Sequence, residues 1–148
     1  MNFNVSLATP HDAQALFALE HRCFDGDQLG LRSFRHLLKS PSARVWLVKN
    51  GDALAGYTLV LTRRNSGWWR IYSVAIAPEQ RGKGLSHLLM DRILSEAKLA
   101  KAQGIRLEVK VSNHSAIELY RRYQFEVVDI LPNYYQDGSD GYRMQYSF

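Results

Sequence analysis

The sequence predicts a single α/β (α+β) domain over residues 1–148: one mixed sheet of about seven strands flanked by about four helices. Three observations carry this. Short alternating or apolar runs interleave with longer runs of helical spacing in the order β-α-α-β-β-β-α-β-α-β-β. Cap and turn signals stand between them. No linker, internal repeat or low-complexity stretch interrupts the 148 residues, a length that suits one core.

The elements follow in order. FNVSLA (3–8) alternates like a strand. TPHDAQALFALEHRCF (9–24) opens a helix, with Thr9 as N-cap, Pro10 at the first helical position and Asp12 three residues after the cap. LRSFRHLLKS (31–40) is a shorter helix that stops before Pro41. ARVWLVKNGDALAGYTLVLTRR (43–64) reads as two strands around Asn50-Gly51, a strong hairpin signal. Asn65-Ser66-Gly67 is another turn, leading into WWRIYSVAIA (68–77). A glycine-rich corner separates that strand from a long helix with apolar positions at Leu85, Leu88, Leu89, Ile93, Ala97 and Ala100.

After Gly104 the run IRLEVKV sets Ile105, Leu107, Val109 and Val111 on one face and Arg106, Glu108 and Lys110 on the other. SNHSAIELYRRYQF (112–125) is a helix capped by Asn113, with Ile117, Tyr120 and Tyr123 on one stripe. EVVDIL (126–131) and YRMQYSF (142–148) are the last strands, with NYYQDGSDG between them.

Composition narrows the classes of function. Hydrophobic residues at 46% and charged residues at 22% describe a globular chain and argue against disorder. No apolar run approaches the roughly 20 residues that a membrane-spanning helix needs. The start, MNFNVSLATPHD, lacks a basic segment followed by an apolar one, so no signal peptide is expected. Cys23 is the one cysteine, which excludes an internal disulfide and a cysteine metal cluster, and it reads as packing at a helix end. His87 and His114 have no other ligands at metal spacing, so no metal is expected. A cytoplasmic protein is the simplest reading. The net charge of +5 favours an anionic partner: a nucleotide cofactor, RNA or an acidic protein. Among basic stretches, only RRNSGWWR (63–70) interleaves cations with aromatics as RNA binders do, and a hairpin explains it better, so nucleic acid is set aside.

The corner EQRGKGLSHLLM (79–90) carries the sharpest chemistry. Glycines at a strand-to-helix corner remove side chains where the backbone turns tightly or where something approaches it closely. The helix N-terminus beyond offers unpaired N–H groups and the positive end of a dipole. Arg81 and Lys83 add positive charge. The local physics suggests an anion site, and phosphate is the obvious anion. The competing reading is a plain tight turn.

The element order, VAIAPEQRGKGLS (74–86) and LEVKVSNHSAIELYRRYQF (107–125) together resemble the GNAT superfamily of N-acetyltransferases. Its cofactor motif, Arg/Gln-x-x-Gly-x-Gly/Ala, stands here as Arg81-Gly82-Lys83-Gly84-Leu85-Ser86, with Ser86 at the final small position. The second stretch and NYYQDGSDGYRM are closest to the bacterial ribosomal-protein alanine N-acetyltransferases. Gln124 departs from that branch, which usually has glycine before the Phe, and this bears on how the last helix ends.

The resemblance implies a mostly antiparallel GNAT-type sheet and acetyl-CoA as cosubstrate. Its pyrophosphate lies on the backbone N–H groups from Gly82 to His87, Leu85 and Ser86 included. The strand before the corner splays from its neighbour, so that Val74, Ala75 and Ile76 meet the cofactor and one N–H acts on the thioester oxygen. Asn113 meets the pantetheine arm as well as capping its helix.

By the same resemblance Glu108 is expected to be the general base, acting through water, where pattern alone gives a solvated sheet face. The resemblance likewise makes Tyr120 the expected general acid beside the departing sulfur, where pattern alone gives a core tyrosine. Tyr134 and Tyr135, beside Asn133, sit where the branch it resembles lines the peptide slot, though a tyrosine pair before a hairpin is also ordinary packing. Trp68 and Trp69 fit either sheet packing or an acceptor cleft.

The implied reaction is direct acetyl transfer to a primary amine, favouring a protein or peptide N-terminal α-amine. Its pKa near 8 leaves about a tenth of it neutral at pH 7, against well below one part in a thousand for lysine. The rivals are a small-amine acetyltransferase, such as one for a polyamine or antibiotic, and a non-catalytic acyl-CoA-binding module. The second has no use for both Glu108 and Tyr120. A homodimer is compatible with the sequence, and no membrane partner is expected.

Overall fold

The computed structural model describes residues 2–24, 29–63 and 65–148. Arg64, expected at a strand end, lies outside the described residues. The strands are β1 (Phe3–Leu7), β2 (Ala43–Asn50), β3 (Ala53–Leu61), β4 (Trp68–Ile76), β5 (Gly104–Lys110), β6 (Glu126–Leu131) and β7 (Gly141–Ser147). The helices are α1 (Ala13–Cys23), α2 (Leu31–Lys39), α3 (Leu85–Leu99) and α4 (His114–Arg122). The seven strands form one sheet in the order β1-β2-β3-β4-β5-β7-β6. Among the described residues only β4 and β5 run parallel, with α3 as the crossover between them.

Local chemistry sets the elements. The Thr9 N–H donates to the Asp12 carboxylate at 2.7 Å, closing a capping box around a 3₁₀ turn at Pro10–Asp12 before α1. The β2–β3 hairpin pairs Asn50 with Ala53, so Gly51 and Asp52 form the two-residue loop, with Gly51 at φ 62°. Asn113 caps α4 by accepting from the Ala116 N–H at 3.3 Å.

Two cores lie on opposite faces of the sheet. Leu16, Leu19 and Phe34 of α1 and α2 bury against Val45, Leu47, Tyr57, Leu59 and Ala75. Leu85, Leu89, Met90, Ile93 and Ala97 of α3, with Ile117 and Tyr120 of α4, bury against Val60, Trp69, Ile71, Ile105, Leu107 and Val109. Burying a side chain of this size contributes about 1.5–3 kcal/mol, so α3 is held mainly by its apolar stripe. That stripe differs from the sequence expectation. Leu88 is 39% exposed and Met90 fully buried, while Ala100 is the exposed C-cap. The helix has turned so that Met90, not Leu88, completes the face with Leu85, Leu89 and Ile93.

Glu20 is a buried carboxylate on α1. It accepts from the Tyr57 hydroxyl and, at 2.8 Å, from the Leu29 N–H, which fastens the end of α1 to β3 and to the start of the α2 approach. Burial, then the bond to Glu20, raises the Tyr57 pKa far above the usual tyrosine value. No described helix is long and apolar enough to cross a membrane.

Candidate active site

The site begins where two strands part. β4 pairs with β5 from Trp68↔Gly104 to Ile71↔Leu107 and no further, although both strands continue. On its other edge β4 pairs Ile71 with Val60 and Ser73 with Leu59, so Tyr72 is an extra residue without a partner on β3: a β-bulge. Beyond it, Ala77 donates its N–H to the Ala55 carbonyl at 2.8 Å. By the alternation of a strand, Ala75 also faces β3, while the polar groups of Val74 and Ile76 face the gap. Of the three residues expected to meet a cofactor, Val74 and Ile76 therefore offer backbone groups and Ala75 offers its buried side.

The Ile76 carbonyl is already held. It accepts from Arg81 Nε at 3.2 Å and from Cys23 Sγ at 3.4 Å. Arg81 thus braces the corner from within. Burial raises the Cys23 pKa, and Arg81 opposes part of that rise. Arg22 and Glu79 form an exposed ion pair that joins the end of α1 to the turn before the corner.

The corner has the geometry of an anion cradle. Gly82 and Gly84 sit at φ 80° and 76°, the left-handed region that side chains disfavour. A Cβ at either would meet no protein atom within 4 Å. Their requirement is backbone conformation, with open space over the turn for a ligand. Among the described residues, the N–H groups of Gly82, Lys83, Gly84, Leu85 and Ser86 find no protein acceptor. The His87 N–H differs: it donates to the Gly84 carbonyl at 3.2 Å, so the set of free donors ends at Ser86. Lys83 turns aside to Gln80 Oε1 at 3.0 Å and does not line the cleft. Five clustered donors at the positive end of a 15-residue helix fit a pyrophosphate.

A cleft of about 740 Å³ joins these parts. Val74, Ala75, Ile76, Arg81, Gly82, Gly84, Leu85, Ser86 and His87 form one wall, and Asn113 and Tyr120 of α4 form the other. The Tyr120 ring is buried, its hydroxyl bonds no described protein group, and burial pushes its pKa up to about 12, with Tyr135 adding to the rise. The phenol is therefore a protonated donor at neutral pH, aimed into the cleft. Sequence reasoning missed Cys23, Phe24, Gln80, Ser115, Ala116, Glu118, Leu119 and Arg122, which also line it. For those on α4 the only available signal was the helical face shared with Asn113 and Tyr120.

Glu108 is the first residue of β5 beyond its last pair with β4. Its side chain is 8% exposed, so the expected solvated face is not what surrounds it. Arg70 reaches Oε1 at 2.7 Å through Nε and 2.5 Å through its terminal nitrogen, while Arg143 reaches only Oε2, at 3.4 Å. Glu108 lies outside the cleft lining and faces the sheet side opposite α3.

Tyr134 and Tyr135 form an edge-to-face pair with ring centroids 5.0 Å apart, Tyr134 being 43% exposed. Lys110 stands 5.3 Å from the Tyr135 ring and bonds Asp137 at 3.1 Å. Hydrogen bonds from Ser139, then Lys110, hold the Asp137 carboxyl down at about 2, which orders the turn that carries the tyrosines. Neither tryptophan lines the cleft: Trp69 stacks on Trp46 at 6.3 Å in the core, and Arg106 lies 4.1 Å over the half-buried Trp68.

Comparisons with known proteins agree with this fold. The chain is 34% identical over 109 residues to a Bacillus subtilis protein named putative ribosomal protein bS18-alanine N-acetyltransferase, covering 73% of this chain and 71% of that one. It is 32% identical over 146 residues to an uncharacterised Mycobacterium leprae protein, covering 95% of this chain but 40% of that relative's length. The crystal structure of the Escherichia coli ribosomal-protein-S18-alanine N-acetyltransferase shares the fold at a TM-score of 0.90 and 21% identity, covering 99% of this chain and 94% of that one. The model of the acetyltransferase (GNAT) domain matches residues 7–148, and the chain belongs to the GNAT family.

Proposed function

We propose that the chain binds acetyl-CoA and transfers its acetyl group directly to the α-amine of a protein or peptide N-terminus, on cytoplasmic substrates. The observation that carries this is a convergence. The free N–H groups of the glycine corner, the unpaired edge of β4 and the Tyr120 hydroxyl all open into one cleft, with Glu108 at the point where β5 leaves β4. The name of the Bacillus subtilis relative supports an N-terminal acceptor.

Acetyl-CoA supplies an acyl group activated as a thioester. The chain's own residues do the rest. The donors from Gly82 to Ser86 hold the pyrophosphate. Asn113 meets the pantetheine arm, and a β4 N–H, from Val74 or Ile76, polarises the carbonyl oxygen. Tyr120 donates a hydrogen bond to the sulfur. With its pKa near 12, full proton transfer to a thiolate of pKa near 8.5 is uphill by roughly 5 kcal/mol, so hydrogen bonding is its role.

Glu108 takes the amine proton through water. Oε1 is committed to Arg70, and the long 3.4 Å contact to Arg143 leaves Oε2 as the working oxygen. An α-amine is easier to deprotonate than lysine by over two pKa units, about 3 kcal/mol. Tyr134 and Tyr135 border the peptide slot.

The test compares initial rates at pH 7.5 for a peptide with a free N-terminal Ala or Ser and the same peptide blocked at its N-terminus but carrying an internal lysine. Thiol release and mass mapping read the product. The free N-terminus is expected to react faster. A faster lysine peptide overturns the reading, and turnover of a polyamine or aminoglycoside with silence on both peptides assigns a small-amine acceptor instead.

A further inference from the structure

We infer that Arg122 recognises the 3′-phosphate of the coenzyme, a subsite distinct from the glycine corner; the inference rests on the acetyl-CoA reading above. Among the described residues that line the α4 wall of the cleft, Arg122 is the one Lys or Arg. Its place is fixed by the next residue. The Tyr123 hydroxyl stands 2.9 Å from the Asp91 carboxylate, 3.2 Å from the His87 carbonyl and 3.1 Å from His87 Nδ1. These contacts fasten the end of α4 to the first two turns of α3. Arg122 therefore lines the same cleft as Ser86 and His87, on the α4 wall.

The chemistry of the coenzyme supplies the ligand. Its 3′-phosphate sits on the same ribose that carries the 5′-pyrophosphate, so anchoring one group brings the other to the neighbouring wall. A phosphate monoester is a strong acceptor that suits the planar guanidinium fork. Arg81, the other arginine of the cleft, is already bonded to the Ile76 carbonyl.

Arg122 now pairs with Glu118 one turn earlier, at 3.0 Å, with the two side chains 63% and 67% exposed. An exposed pair of this spacing is weak and readily exchanged for a phosphate. Glu118 also lines the cleft, and its negative charge opposes the same phosphate. The pair sets the preference by opposition: Arg122 attracts the 3′-phosphate and Glu118 limits the attraction.

The experiment measures, by calorimetry on the full chain, dissociation constants for acetyl-CoA and 3′-dephospho-acetyl-CoA. Wild type is expected to bind acetyl-CoA about tenfold more tightly, a charge-assisted contact weakened by exposure. Arg122→Ala should bring the ratio to about one to two while leaving the dephospho affinity unchanged, and Glu118→Gln should increase it. The ratio should shrink as salt rises from about 0.05 to 0.5 M. Both substitutions lie on an exposed helix face, and circular dichroism confirms that the variants are folded. An unchanged ratio in Arg122→Ala, or no preference in wild type, overturns the inference while the acetyl-CoA reading stands. Failure of wild type to bind either form overturns both.

Discussion

Phe125 donates its N–H to the carbonyl of Tyr120 at 3.0 Å, and Gln124 donates to Arg121 at 2.9 Å. This pair of bonds is a Schellman motif, and it places Gln124 in the left-handed region at φ 72°, where glycine is the usual occupant. The departure at Gln124 leaves the helix end intact and carries backbone strain instead. The same motif fixes the turn that presents Tyr120 to the cleft.

Gln124→Gly should therefore stabilise the protein. Relief of the left-handed strain is worth about 1–2 kcal/mol, and the looser unfolded chain returns about 0.5–1 kcal/mol of that. The net gain of roughly 0.5–1 kcal/mol raises Tm by about 1–4 °C in a chain of this size. Thermal denaturation checks it; a lower Tm would show that Gln124 makes compensating contacts.

Gly84→Val should weaken acetyl-CoA binding by more than tenfold in a protein that still folds. The added side chain meets no protein atom within 4 Å at its Cβ but occupies the space over the donors, and φ 76° strains any branched residue. Titration calorimetry on the folded variant reads the loss. Unchanged affinity would reduce the corner to a structural turn.

Glu108→Gln should lower turnover by about 10²–10⁴ at neutral pH, with acetyl-CoA affinity close to wild type. The defect should narrow as pH rises, because the amine then arrives neutral. A rate profile from about pH 6 to 10 measures this, and full activity throughout would place the base elsewhere.

Tyr120→Phe should flatten the alkaline loss of stability. The folded-state pKa of about 12 lies above the unfolded value near 10, so folding retains a proton that the unfolded chain releases. That contribution is fully present below pH 10 and is lost as pH rises from 10 towards 12. Over this window wild type should lose about 2 kcal/mol more than the variant, measured by urea denaturation at each pH. Equal losses would show that the phenol is not buried as described.

Much of the fold is visible in the chain because its signals are local. Thr9-Pro10 with Asp12 writes its own cap, Asn50-Gly51 its own hairpin, and 105–109 its own buried face. The glycine corner is legible for the same reason, since two left-handed residues and a helix start lie within a few positions. What escapes sequence reasoning depends on distant partners. Arg70 and Arg143 reach Glu108 from 38 and 35 residues away, on two different strands. The misplaced stripe at Leu88 depends on how α3 rolls on the sheet. Glu118 and Arg122 occupy exposed helix positions, which only the proximity of α3 turns into a cleft wall.

The bulge at Tyr72 acts like a dislocation in a crystal. One extra residue throws β4 out of step with the strand beside it, just beyond the last rung at Ile71↔Leu107. The opening cannot zip shut, because the two strands no longer match residue for residue. The groove is thus a standing defect, present before any ligand arrives, and the sheet forgoes several rungs to keep it. Deleting Tyr72 should heal the defect, increase hydrogen-exchange protection at the Lys110 N–H, which faces β4, and yield a sheet that holds together better and binds acetyl-CoA worse.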